Sequence, residues 1–308
     1  KKSSGLLRES PKVRYRFILG NPEYPVAKWA DILQIERTGY YAWLRNREAL
    51  EDHTAYLKKR IKEEFDESRG TYGPDRITAE LRKKGEHIGR KKCAEYMADM
   101  KLDSCHNRHR AKSLTNSKKA RGDGYPNILR NQEFPIKPRM GLTSDITYLR
   151  TDEGFMYHCV IRDIVTGEVL GDHMAGRMTK ELVMNAILAM LARHELAEGC
   201  IFHSDRGSQY TSKAVMGLLQ QYGLRQSFSR VGMPGDNAWS ESFFATMKKE
   251  LIHWTHYETK EAVRAAVFEY IYCFYNVKRI QKRLGYMSPK EYLKSLKTER
   301  SDRSEKVA

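Results

Sequence analysis

The chain has 308 residues, 40% of them hydrophobic, and a formal net charge of +16 at pH 7, so it is long enough for a sizeable core and more than one domain. Its five cysteines include no CxxC pair, and no apolar run approaches the ~18 residues of a membrane span. We therefore predict a reduced, cytoplasmic protein with no membrane partner. Because the chain starts at Lys1 without Met, we also expect a fragment, a processed product or the back part of a longer product.

The positive charge is concentrated in the front half of the chain. Residues 1–140 hold 32 Lys and Arg against 19 Asp and Glu, whereas residues 141–308 hold 23 against 20. Clusters of Lys and Arg bind polyanions by neutralising phosphates and releasing counterions. We therefore predict a polyanionic partner, and a basic surface that serves only solubility is the alternative.

Two pairs of helices are predicted in the front half. Apolar residues recur at helical spacing over residues 25–33 and again from Thr38, and a second pair begins at Pro74, with Gly85 as the stop signal between its helices. Each pair has the short connection of a helix-turn-helix unit. The last helix opens with three basic residues, where a recognition helix contacts DNA: Arg90, Lys91 and Lys92. Helical hairpins that serve only packing are the alternative.

The segments around these pairs predict a connecting helix and a linker. Apolar spacing over residues 44–65 predicts an amphipathic helix that either joins the two pairs or forms a dimer seam. Residues 101–121 hold seven Lys or Arg against one Asp, which is typical of a basic linker ordered only along DNA. Its expected DNA contacts are Lys118, Lys119 and Arg121. The predicted divisions are a helical region at 1–66, a second DNA-binding region at 67–104, the linker at 105–138, a back domain at 139–300 and a tail at 301–308.

The back domain is predicted to be α/β. Two β-rich runs joined by a turn and a third run predict three antiparallel strands, and two more strands alternate with helices. Together they predict a mixed five-stranded sheet flanked by helices. The strands are expected at 142–150, 155–165, 168–174, 200–204 and 224–228, and the helices between them at 179–191 and 212–222.

Three acidic residues stand in distinctive positions of this domain. Asp145 lies within the first strand, Asp205 follows the fourth, and Glu241 opens a helix 35 intervening residues later. A lone mid-strand Asp is more often a satisfied edge or turn residue, but this strand is otherwise apolar, and a buried carboxylate needs a partner or a metal. Carboxylates from three elements suit hard cations. We predict that all three are catalytic and together hold two Mg²⁺ ions, for which Mn²⁺ can substitute.

Neighbours of Glu241 carry further expectations. Asn237 is expected to cap the Glu241 helix, as Thr179 caps the helix that follows the third strand. The Gly- and Pro-rich loop 229–236 is expected to be mobile until a substrate orders it. Lys248 shares a helix face with Glu241, where it either holds a DNA phosphate or is simply solvated.

The chain resembles the integrase-type core of bacterial insertion-sequence transposases, specifically the "insertion sequence three" family, in three motifs: HSDRGSQY at 203–210, DNAWSESFFATMKKEL at 236–251 and YNVKRIQKRLGYMSPKEYL at 275–293. That family carries Asp, Asp and Glu with the same 35-residue gap. Residues 72–102 and 24–43 are similar to the helical segments that precede the core. The chain departs from the family at Leu142, where Trp is usual, and at Gln281, where His is common.

The resemblance implies a ribonuclease-H-like fold and a DNA transposase that cuts and joins element ends by two-metal-ion hydrolysis and strand transfer. It implies double-stranded DNA as the partner, both the terminal inverted repeats and the target, with a homodimer or larger assembly on DNA at the bacterial nucleoid. The family's full-length enzyme also has an upstream leucine zipper, and the sequence shows none here. The alternatives are a non-catalytic DNA-binding regulator derived from a transposase, which a damaged acidic trio would mark, and a ribonuclease-H-like nuclease, which leaves two helix-turn-helix units without a role.

Overall fold

The front of the protein is a small helical unit. The computed structural model describes residues 6–107, 126–129, 137–230 and 234–305. Helices α1 (Pro11–Leu19) and α2 (Val26–Leu33) pack with the first half of α3 (Arg37–Glu67). The buried residues at their contact are Ile18, Leu33 and Tyr40. Sequence analysis missed α1 because its basic residues alternate with apolar ones and hide the helical period.

Helix α3 is one continuous helix of 31 residues, and the prediction of two separate elements there was wrong. Residues 45–51 lack Gly and Pro and consist mostly of good helix formers, so nothing ends the first helical pattern. The second half of α3 packs against α4 (Pro74–Lys83) and α5 (Arg90–Asp99). Leu57 and Ile61 are buried in that contact, so they are not available for the dimer seam.

The second helical pair agrees with its prediction. Pro74 occupies the first turn of α4, and the helix ends at Lys83, before Gly85. Cys93, Tyr96 and Met97 of α5 face the core. Because α4 and α5 share α3 with the front unit, the two helical units are joined without a loop between them.

The back domain is built on a mixed five-stranded sheet, which confirms the predicted fold class. Its strands are β1 (Gly141–Thr151), β2 (Gly154–Asp163), β3 (Val169–Ala175), β4 (Ile201–Ser204) and β5 (Arg225–Phe228). Their order across the sheet is β3-β2-β1-β4-β5. The first three strands pair antiparallel, whereas β1 pairs with β4, and β4 with β5, in parallel. The central position of β1 places Asp145 in the middle of the sheet.

Helices cover both faces of the sheet. One face packs against α6 (Lys180–Leu191) and α7 (Lys213–Gln221). The other packs against α8 (Ala238–Met247), which continues as a π-helix over Lys248–Ile252, and against α9 (Lys260–Phe268), which continues as a π-helix over Glu269–Tyr275. Helix α10 (Pro289–Glu305) ends the described chain. The core of α3, α4 and α5 belongs to the same hydrophobic cluster as α8 and α9, so the second helical unit is packed onto the sheet domain.

A buried ionic network lies where the two π-helices meet the front half. The fully buried carboxylate of Glu250 accepts hydrogen bonds from Arg279 at 2.6 and 2.7 Å and from the Tyr270 hydroxyl at 2.7 Å, and it contacts His106 Nε2 at 2.6 Å. Burial alone would raise the pKa of Glu250, but the charge of Arg279 and these hydrogen bonds lower it to about 2. Residue 106 thereby joins the front half of the chain to the end of the sheet domain.

The predicted linker 105–138 is described only at 105–107, 126–129 and 137–138, and the first two of these parts contact the sheet domain. Cys105–Asn107 form a 3-10 helix beside Glu250, and Leu129 is buried, with its backbone N–H donating to Ser227 Oγ at 3.1 Å. The expectation that this stretch is ordered only along DNA was therefore wrong for these residues. In the part of the chain that the structure describes, no helix is both long and apolar enough to cross a membrane.

Candidate active site

Asp145 sits on the face of β1 that α8 covers. Side chains alternate along a strand, so Thr143, Asp145 and Leu149 share one face. Thr143 hydrogen-bonds to α8, and Leu149 belongs to the cluster that contains Phe243. Asp145 is half-buried, and its Oδ1 accepts from the Ile146 N–H at 2.8 Å.

The sheet register brings Asp205 next to Asp145. Thr143 pairs with His203 across β1 and β4. Strand β4 ends at Ser204, so Asp205 follows it on the side of the sheet towards which β1 continues to Asp145, and the charge of Asp205 acts on Asp145. The Asp205 carboxylate is held by the Gly207 N–H at 2.9 Å. A Cβ at residue 207 would lie 3.0 Å from Asp205 Oδ1, so glycine leaves room for this turn.

Side-chain contacts to β1 position the start of α8. Thr143 Oγ1 donates to Asn237 Oδ1 at 2.8 Å and lies 2.6 Å from Ser240 Oγ. The predicted capping bond of Asn237 is absent, because its side-chain oxygen binds Thr143 instead. Thr179 likewise stands at the predicted cap position without a side-chain capping bond. Glu241 directly follows Ser240, so this contact places Glu241 beside the strand that carries Asp145.

The three carboxyl groups share an electrostatic environment. Burial, the charge of Asp205 and then that of Glu241 raise the pKa of Asp145 to about 7, although the Ile146 N–H opposes the shift. Partial desolvation by the surrounding protein atoms also raises the pKa of Asp205 and of Glu241, although part of each residue reaches solvent. The site is therefore an accessible concentration of negative charge.

The donor chemistry of the trio fits a hard divalent cation. Among the described residues, none of the three carboxylates forms an ion pair with Lys, Arg or His, so the charge that raises the pKa of Asp145 has no protein counterion in contact. Carboxylate oxygens are the ligands that Mg²⁺ prefers. Within the described ranges, however, no group of three or more His, Cys, Asp or Glu side chains is close enough to hold a metal ion as it stands. The assignment of metal ligands remains a prediction.

Lys248 lies at the edge of this site. Its Nζ stands 5.0 Å from the centre of the Tyr148 ring, and the charge of Lys248 acts on Asp145. Burial lowers the pKa of Lys248, whereas the charge of Asp145 opposes that shift. Lys248 is therefore close to the carboxylates, and its role as a phosphate contact remains a prediction.

The other predicted DNA contacts lie elsewhere. Arg90, Lys91 and Lys92 are exposed at the start of α5, and two of them form surface ion pairs, Arg90 with Asp75 at 2.6 Å and Lys92 with Glu95 at 3.0 Å. Exposed pairs of this kind are weak, so they leave these cations able to exchange partners. Three further predicted DNA contacts lie outside the described residues: Lys118, Lys119 and Arg121.

The loop before α8 has more structure than its sequence predicts. Pro234–Asn237 form a 3-10 helix, and Asp236 accepts from Arg230 Nε at 2.9 Å and from Asn127 Nδ2 at 2.9 Å. The Arg230 hydrogen bond is the main reason that the pKa of Asp236 falls to about 2. These partners stand at positions 127 and 230, and no local pattern predicts their pairing.

Sequence reasoning missed the hydroxyl groups that support the site. Ser144 Oγ lies 2.9 Å from the hydroxyl of the buried Tyr210, which ties β1 to the loop after Asp205. Ser144 directly precedes Asp145, and Tyr210 lies five residues after Asp205, so closeness in sequence to the trio was the available signal. The apolar side chains of α8 are buried in the core: Phe243, Phe244 and Met247.

Comparisons with known proteins cover most of the chain. Family models described as integrase core domain match residues 137–234 and 241–298, and one described as HTH-like domain matches residues 51–111. The transposase for insertion sequence element IS904 of Lactococcus lactis is 36% identical over 77% of this chain and 93% of its own length. The transposase InsF for insertion sequence IS3A of Escherichia coli is 33% identical over 88% of this chain and 94% of its own. Among solved structures, the catalytic core domain of BIV integrase aligns at 20% identity over 52% of this chain and 98% of that chain, with a TM-score of 0.37.

Proposed function

Because the chain belongs to the IS3 family of insertion-sequence transposases, as do its IS904 and InsF relatives, we propose that Asp145, Asp205 and Glu241 carry its DNA-cutting and DNA-joining chemistry. The chain is a DNA transposase, a polynucleotidyl transferase of the type that uses two Asp and one Glu, with an integrase core and a helix-turn-helix-like region. The observation that supports the residue assignment is the position of the three residues: Asp145 lies on the central strand β1, Asp205 directly follows the neighbouring strand β4, and Ser240, beside Glu241, contacts Thr143 of β1.

The chain's own residues position the reacting groups. Asp145 is fixed by the Ile146 N–H, Asp205 by the Gly207 N–H, and Glu241 by the contact of Ser240 with Thr143. In-line phosphoryl transfer depends mainly on positioning and charge neutralisation, so it needs no nucleophilic side chain. The trio stands on three different elements and can therefore surround a phosphate from two sides.

Divalent metal ions are the cofactor class that the family implies. We assign Mg²⁺ to the site, with Mn²⁺ as a substitute, held as two ions by Asp145, Asp205 and Glu241. When bound, such ions supply charge neutralisation at the phosphate and a lowered pKa of the attacking hydroxyl. Lys248, beside Asp145, would orient a neighbouring DNA phosphate.

The partner is double-stranded DNA, both the terminal inverted repeats of the element and the target. Two ends must be held together for joining, which requires a homodimer or a larger assembly, and the reaction takes place at the nucleoid of the bacterial cytoplasm. A helical region at 1–66 and a second at 67–104 would bind the ends, the linker 105–138 would follow the duplex, and the core 139–300 would cut. Measuring the molecular mass of the protein particle with and without end DNA gives the number of chains in the assembly.

A cleavage and joining assay tests the catalytic assignment. The purified chain is incubated with Mg²⁺ or Mn²⁺ and a duplex that carries the terminal repeat. Asp205→Asn is expected to lower nicking and joining at least ~10²-fold, since several kcal/mol of transition-state stabilisation are lost. DNA binding should persist.

Asp152→Asn is the matched control, because Asp152 is an exposed Asp of the same domain whose partner is His256. It should retain wild-type activity. Equal activity of Asp205→Asn and wild type would contradict the site assignment. Binding without any reaction by wild type and both variants would favour a DNA-binding regulator.

A further inference from the structure

A basic pocket lies on the flank of α8 away from Asp145. Its volume is about 220 Å³, and it opens between α8 and the segment that follows α9. Three arginines line it: Arg162, Arg279 and Arg283. None of the described residues in its wall is acidic, so the pocket is shaped by cationic and neutral groups.

Two of these guanidinium groups have no carboxylate partner among the described residues. Arg279 is paired with Glu250. Arg162, by contrast, donates only to neutral acceptors: the carbonyl oxygens of Trp239 and Gly167 and the hydroxyl of Tyr275. Arg283 donates to the Val165 carbonyl and to Gln281 Oε1, each at 3.2 Å. Among the described residues, neither of these two positive charges is paired with a carboxylate in contact, although the charge of Asp163 acts on Arg283.

The backbone at Gly167 brings these two charges together. A Cβ on Gly167 would lie 1.9 Å from Arg283 Nη2 and 3.1 Å from Arg162 Nη2, and φ at this residue is +71°. Burial and the charge of Arg162 both lower the pKa of Arg283. Like charges this close repel each other, and a bound anion would relieve the repulsion.

Gln281 offers a further donor in the same wall. Its side chain is 7% exposed, and Nε2 has no hydrogen-bond partner among the described residues, whereas Oε1 accepts from Arg283. Buried polar groups are nearly always paired. An anion with several oxygens could accept from Arg283 and Gln281 together.

The surface of α8 leaves a clear path from Glu241 to this pocket. At 100° per residue, Ala245 lies between Glu241 and the pocket on the exposed side of the helix, and Ala238 and Ser242 belong to the pocket wall on that side. All three side chains are short. The path crosses roughly one helix diameter, ~10–12 Å, which corresponds to about three nucleotides at ~3.4 Å per step.

We propose that Arg162, Arg283 and Gln281 form a binding site for a DNA backbone phosphate, about three nucleotides from the phosphate that reacts beside Glu241. The proposal rests on the proposed function only for the identity of the polyanion as DNA. The element end and the target share this phosphate chemistry, so the test uses both duplexes. The site would hold the strand in register across α8 while the trio acts on it.

The first test measures the salt dependence of DNA binding by the full chain. Arg283→Gln is expected to reduce the slope of log K against log salt by about 0.9 and to weaken binding about eightfold at 0.1 M salt, because one phosphate contact is lost. Lys282→Gln is the matched control, since Lys282 is the exposed neighbour on the same 3-10 helix and does not line the pocket. It should keep the wild-type slope. Equal slopes for the two variants with both duplexes would overturn the proposal.

The second test locates the phosphate. Duplexes are made with one neutral methylphosphonate at each successive position of one strand. Wild type and Lys282→Gln should lose affinity at one position about three nucleotides from the cleavage site, and Arg283→Gln should be insensitive there. Gln281→Glu should lose affinity as Arg283→Gln does, because its carboxylate would pair with Arg283 and repel the phosphate. If the affinity lost through the methylphosphonate and the affinity lost through Arg283→Gln simply add at every position, no single phosphate is bound by Arg283, and the proposal is overturned.

The phosphate-site proposal and the catalytic assignment can be refuted independently of each other. A wild type that cuts DNA while Arg283→Gln binds like Lys282→Gln contradicts only the phosphate site. A wild type that binds DNA through Arg283 without cutting, and behaves like Asp205→Asn, contradicts only the catalytic assignment. Thermal unfolding of Arg283→Gln controls for folding, and a midpoint close to the wild-type value is expected because Arg283 donates to neutral acceptors and forms no ion pair among the described residues.

Discussion

Replacing Glu250 by Gln should destabilise the fold more than any replacement of a surface acid. The Glu250 side chain is fully buried and binds Arg279, whose own side chain is 5% exposed. The variant keeps the shape of the side chain but leaves Arg279 as a buried charge without a counterion. Breaking a buried pair from one side costs about 3–5 kcal/mol.

The lowered pKa of Glu250 gives a similar estimate of how much the buried pair stabilises the fold. A change from 4.5 to about 2 corresponds to about 3 kcal/mol of unfolding free energy at neutral pH. Because the pKa is lowered in the folded state, this contribution is complete above the unfolded value near 4.5 and is lost as the pH falls towards 2. It should be about 3 kcal/mol at pH 7 and about 1 kcal/mol at pH 3.

Urea unfolding of wild type and Glu250→Gln across this pH range measures the difference. Glu269→Gln is the matched control, because Glu269 also lies in a π-helix and pairs with Arg69 of the front half, but in an exposed pair. It should cost no more than about 1 kcal/mol. The reasoning is refuted if the two variants differ by less than about 1 kcal/mol at pH 7, or if the effect of Glu250→Gln is the same at pH 7 and pH 3.

Two further changes have defined outcomes. In EDTA, Asp145→Asn should be more stable than wild type by about 2–4 kcal/mol at pH 8, because the pKa of Asp145 is raised from 3.8 to about 7 and its charged form opposes folding. Urea titrations should show that this gain in stability grows between pH 4 and 7. If the variant is no more stable than wild type at pH 8, the raised pKa is contradicted. Gly167→Ala should cost about 1–2 kcal/mol for the positive φ and also displace Arg283, so a variant with both wild-type stability and wild-type salt slope would show that the glycine is not required.

The elements of the sheet domain were largely predictable because their signals are local. The turn at 151–154 and the apolar runs around it predict β1 and β2 within a residue or two. The long helix α3 was not predicted as one element, since periodicity shows where a helical pattern exists but not whether two patterns join. Pro74 and Gly85 marked α4 correctly because they act through their own backbone conformations.

Features that depend on distant residues were not predictable from the sequence. Asn is a residue type that often caps a helix, yet the side chain of Asn237 binds Thr143, which lies 94 positions earlier. The Glu250 network joins positions 106, 250, 270 and 279, and the Arg283 pocket depends on Gly167. Spacing and local sequence setting indicated the acidic trio, whose catalytic role stays a prediction, whereas the contacts around it required the three-dimensional structure.

The length of α3 sets the distance between the two helical units that pack on it. At 1.5 Å per residue its 31 residues extend about 46 Å, which equals roughly 14 base pairs of duplex at 3.4 Å each. One helical unit sits on its first half and the other on its second half. Inserting one residue at its centre would turn the two units by about 100° relative to each other. If both units bind DNA, as proposed above, the number of residues in α3 determines which groove positions the two units can contact together.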